Sequence, residues 1–64
     1  MKLISDMNDI SVLILINEFI VSVDVRSKEY VPIELMRFLR EREMKIEDSQ
    51  LFDQVCTIIE NKLF

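Results

Sequence analysis

The side chains that could do chemistry are few, and their spacing gives them little to act on. Two carboxylate pairs stand out, Glu41 with Glu43 and Glu47 with Asp48. A general acid and base must converge on one reacting atom, whereas residues one or two positions apart on a helix point in different directions. The first pair also lies among Arg40, Arg42 and Lys45, so it reads as alternating surface charge. The 64 residues include no His, which removes the commonest general base and metal ligand. One cysteine, Cys56, cannot assemble a zinc site or form an intramolecular disulfide. No acidic loop places ligands at alternate positions for calcium, and without Gly no backbone cradle forms easily around a phosphate. The expectation is a non-enzyme: no catalytic residue, no cofactor, no metal and no small-molecule substrate.

Charge narrows the partners. Twelve acidic against eight basic residues give a net charge of −4, which opposes approach to nucleic acid and to anionic lipid head groups. The longest apolar run, Ile10 to Ile16, is interrupted by Asn17 and Glu18 and falls short of the ~20 residues that span a bilayer. Asp6 and Asp9 before it are wrong for a secretory signal, so no membrane association and no processing are expected. Cys56 has apolar neighbours at helical spacing, which predicts a buried thiol and suits a reducing, cytoplasmic location.

The elements that must position these residues follow from periodicity. Leu51, Phe52, Val55, Cys56, Ile58, Ile59 and Leu63 fall on one arc at 100° per residue, with Asp53, Gln54, Thr57, Glu60 and Asn61 opposite, predicting an amphipathic helix capped by Asp48 or Ser49. A second helix should begin at Pro32, which has no N–H to waste in a first turn, and end near Met44. Its apolar side is Ile33, Leu35, Met36, Phe38 and Leu39. The segment from Asp6 to Val25 is ambiguous. As a helix it is apolar nearly all round; as strands, Ser11–Ile16 pairs with the alternating Phe19, Val21, Val23 and Val25 in a hairpin. Asn17-Glu18 is a poor two-residue turn, which favours the helix.

A chain this short buries only about 60% of the surface its unfolded form exposes and draws on packing or self-association for stability. The first segment offers more apolar surface than one helix stripe can hide, and a large exposed apolar patch on a soluble monomer marks a contact site. The fold expected is all-α, one domain over residues 1–64, a three-helix unit or helical hairpin that forms a homodimeric helical bundle. The alternative is α+β, an N-terminal β-hairpin with two helices. Candidate interface residues are Leu13, Ile16, Phe19, Ile20 and Phe64, with Phe19, Ile20 and Phe64 as anchors into a partner's groove.

In overall character, in Ile14-Leu15-Ile16, Phe38-Leu39 and the stretch Leu51 to Leu63, the chain resembles the small acidic helical regulators and anti-σ inhibitors of phages and plasmids. That resemblance is one of type, covers no defined block and transfers no residues. The function expected is a small acidic regulator, adaptor or inhibitor that occludes or bridges a protein. Two alternatives remain: a structural subunit of a larger complex, or a transcription regulator using Ile33 to Leu63 as a helix-turn-helix. The would-be reading face of that motif carries Asp53 and Glu60, which repel phosphate.

Overall fold

The computed structural model describes all 64 residues, Met1–Phe64. It is mostly helical, with three α-helices and one very short parallel strand pair. The elements run β1 (Lys2–Leu3), α1 (Asp9–Ser22), α2 (Val31–Glu41), β2 (Met44–Lys45) and α3 (Ser49–Leu63), with single 3₁₀ turns at Ile4–Asp6 and Lys28–Tyr30. No helix is long and apolar enough to cross a membrane.

Helix α1 starts three residues later than the pattern implied. Asn8 is its N-cap, with Oδ1 accepting the Ser11 amide at 2.8 Å, and Asp6 belongs to the preceding 3₁₀ turn. The helix stops at Ser22 because the chain turns extended at Val23, in a stretch where Val21, Val23 and Val25 lose side-chain freedom in a helix. The hairpin over residues 11–25 is not formed, since 11–22 are helical. The mixed α+β reading survives only through a different pair, β1 with β2, in the parallel register Lys2↔Met44 and Leu3↔Lys45.

A local turn creates that pair. Helix α2 ends at Glu41, short of Met44, because Glu43 adopts a left-handed backbone with φ 56°. Its amide donates to the Arg40 carbonyl at 3.0 Å, closing the helix, and its own carbonyl then accepts the Lys2 amide at 2.9 Å, which aligns the strands. Glycine usually occupies this position, and the chain has none. Replacing Glu43 with Gly should therefore stabilise the fold by up to about 1 kcal/mol, read as a raised midpoint in urea at unchanged slope.

The core forms where the three helices meet. Phe19 and Ile59 are wholly buried, and Ile4, Ile16, Val31, Leu35, Phe38, Leu39, Val55 and Cys56 surround them with Leu15. Phe19 of α1 meets Phe38 of α2 edge to face, ring centroids 5.2 Å apart at 90°. Arg42 lies over the Phe38 ring, its guanidinium 3.6 Å from the ring centroid and its Nη1 donating to the Phe38 carbonyl at 3.3 Å. Helix α3 buries the arc expected of it, with Ile58 left at the edge and partly exposed, and Asp48 caps it by accepting the Gln50 amide at 2.9 Å. On α2, Leu35, Phe38 and Leu39 point inward as expected, whereas Ile33 and Met36 of the same apolar side remain half exposed.

Candidate functional site

Two surfaces stand apart from the core. The first is the outer face of α1. A helix of 3.6 residues per turn that buries Leu15, Ile16 and Phe19 must turn Ile10, Leu13, Ile14, Asn17 and Val21 the other way. These positions are exposed, Ile10 at 71%, Leu13 at 49%, Ile14 at 62% and Val21 at 86% of their full surface. Between them the four aliphatic side chains show water the equivalent of nearly three whole residues, each of which is stabilised by roughly 1.5–3 kcal/mol on burial. Asn17 lies in the middle of this stripe, and Glu18 stands at one edge. Within the helix the only charged residues are Asp9 and Glu18.

The five interface candidates divide between surface and core. Leu13 is half exposed on the outer face of α1, Ile20 is partly buried at its margin, and Phe64 is 52% exposed on a different element, just beyond α3. Ile16 and Phe19, at 2% and 0% exposure, belong to the monomer's own core. Because α1 is apolar on both sides, residue type alone does not say which side turns inward. Ile10, Ile14 and Val21, exposed on the outer face, have the same types as the five candidates. Their signal is the phase set by Leu15 and Phe19 once α2 and α3 are in place.

The second surface is an open cleft of about 450 Å³ between α2, β2 and the start of α3. Met36, Leu39, Met44, Ile46 and Phe52 line it, and its charged rim of Arg40, Lys45, Glu47 and Asp53 balances to zero. Ser49 is the only hydroxyl in its lining, and no thiol reaches it.

Cys56 is buried in the core as expected. Burial pushes its thiol up to about 11 from an ordinary value of 9.0, and the carboxylates Glu60 and Asp53 on the same helix add to the shift. Thiolate is the reactive form, so the folded chain should resist alkylation at pH 8 and react once denatured, as mass spectrometry after iodoacetamide would read. The linkage runs in one direction. The native state holds this proton more tightly than the unfolded state, so the stabilisation is complete below pH 9 and is lost as pH rises towards 11.

No known protein family matches the chain, and neither does any curated protein or any solved structure.

Proposed function

We propose that the chain is a non-enzymatic protein-interaction module whose working surface is the outer face of α1. The observation that carries this reading is the stripe Ile10, Leu13, Ile14 and Val21, aliphatic and exposed on a helix that also furnishes the core. A helix apolar on all sides belongs in the middle of an assembly, and here only one side is covered by the chain's own α2 and α3. Such a module acts as a regulator, adaptor or inhibitor by occluding or bridging another protein, and the net charge of −4 favours approach to basic surfaces. The single buried thiol suits the reducing cytoplasm.

Nucleic-acid binding is the weaker reading. The connection between α2 and α3 runs from Arg42 to Asp48 and contains β2, whereas a helix-turn-helix joins its helices through three or four residues. The acidic α3 face adds to the mismatch.

Photo-crosslinking tests the proposal. Benzoylphenylalanine placed at Ile14, in the cells that make the protein, should yield a discrete adduct, whereas the same group at the exposed Asn61 of α3 should not. Equal, diffuse labelling from both positions would contradict it.

A further inference from the structure

We infer that the cleft beside β2 takes an extended peptide segment of another protein, added to the two-stranded sheet as a third strand. The inference goes beyond the α1 reading, because no residue of α1 lines this cleft. It starts from the backbone. In a parallel pair each strand turns the N–H and C=O of alternate residues toward its neighbour, and those of the residues between them outward. The register Lys2↔Met44 and Leu3↔Lys45, with the Glu43 carbonyl accepting from Lys2, turns Glu43 and Lys45 toward β1. Met44 and Ile46 therefore present their N–H and C=O groups on the opposite edge. Those of Ile46 have no partner in the chain, from backbone or side chain.

The cleft lies along that free edge. Met44, Lys45, Ile46 and Glu47 all line it, whereas Lys2 and Leu3 of β1 do not. A hollow over one face of a strand would meet every second residue, so four consecutive residues mark an edge. What faces an occupant is main-chain donors and acceptors two residues apart, a spacing that an extended chain matches and a helix does not. Side chains add to this short ladder. Met36 and Leu39 of α2 and Phe52 of α3 complete the apolar lining, and about 450 Å³ gives room for apolar side chains, which supply most of the affinity. Met36 and Met44 are unbranched and reshape readily, so the lining selects apolar character over one particular shape. The rim charges cancel and none is held in an ion pair, so net charge does not choose the peptide.

Backbone-edited peptides test the added strand. The probe is a pool of blocked pentapeptides, apolar at alternate positions, titrated to millimolar concentration into the full chain while amide hydrogen exchange is followed by NMR. Without peptide the unpartnered Ile46 amide exchanges fast. Extrapolated to saturation, its exchange is expected to slow about tenfold or more as the amide gains an acceptor. Two further pools carry N-methyl groups on one or the other alternate set of amides. Only one set faces β2, so one pool is expected to lose about tenfold or more in affinity while the other binds like the parent. Equal effects in the two pools would show that side chains alone hold the peptide, and would overturn the added strand. Unchanged exchange at Ile46 with the parent pool would overturn the cleft as a peptide site.

Discussion

Truncating Phe19 to Ala is expected to cost about 3–5 kcal/mol and to leave much of the chain unfolded at 25 °C. Phe19 is completely buried, and its ring is the point at which α1 meets Phe38 of α2. The substitution leaves a cavity the size of a phenyl ring and removes an aromatic pair worth about 0.5–1.5 kcal/mol beyond its burial. A 64-residue fold has a total stability of roughly 3–10 kcal/mol to lose. Helical circular dichroism followed through a thermal ramp reads the effect directly. Ile14→Ala, on the opposite face of the same helix, serves as control and should shift monomer stability by no more than about 0.5 kcal/mol. Should Phe19→Ala remain cooperatively folded with a loss under about 1 kcal/mol, α1 would be oriented wrongly, with Phe19 outside as residue type alone allows.

The second large effect belongs to the other face. Ile14→Asp is expected to weaken self-association at least a hundredfold while the monomer stays folded. In a two-fold dimer paired through this face each substitution would act twice, and removing two partly exposed isoleucines from it would forfeit roughly 3 kcal/mol, each 1.4 kcal/mol being a factor of ten. Two carboxylates brought into that face add a desolvation cost of their own. Sedimentation equilibrium reads the association, and circular dichroism reads the fold. Loss of helix at the concentration where wild type is folded would show that Ile14 serves the monomer's core. Unchanged association would show that this face is not where two copies meet.

How far the sequence could be read depended on how one-sided each segment was. Helix α3 was legible almost to the residue, because its apolar positions occupy one arc and its cap, Asp48, is an ordinary capping residue. Helix α1 was legible as a helix but not in its orientation. Leu15, Ile16 and Phe19 face inward and Ile10, Ile14 and Val21 face outward, and nothing in their types separates the two sets. Residue type therefore could not separate Ile16 and Phe19, which are core, from Leu13, which lies at the surface. The β1–β2 pair was invisible for a different reason. Two-residue strands show no alternation, and the turn that aligns them depends on a glutamate, Glu43, in a conformation sequence rules reserve for glycine or asparagine. The early end of α2 has the same cause.

Light scattering on the size-exclusion peak, run through a dilution series on the wild-type chain and on Ile14→Asp, tests the central claim most directly. The account predicts a wild-type mass of twice 7.7 kDa that falls towards 7.7 kDa only on dilution, and a variant that stays at 7.7 kDa throughout. A wild-type chain that holds a mass of 7.7 kDa at every concentration would contradict it.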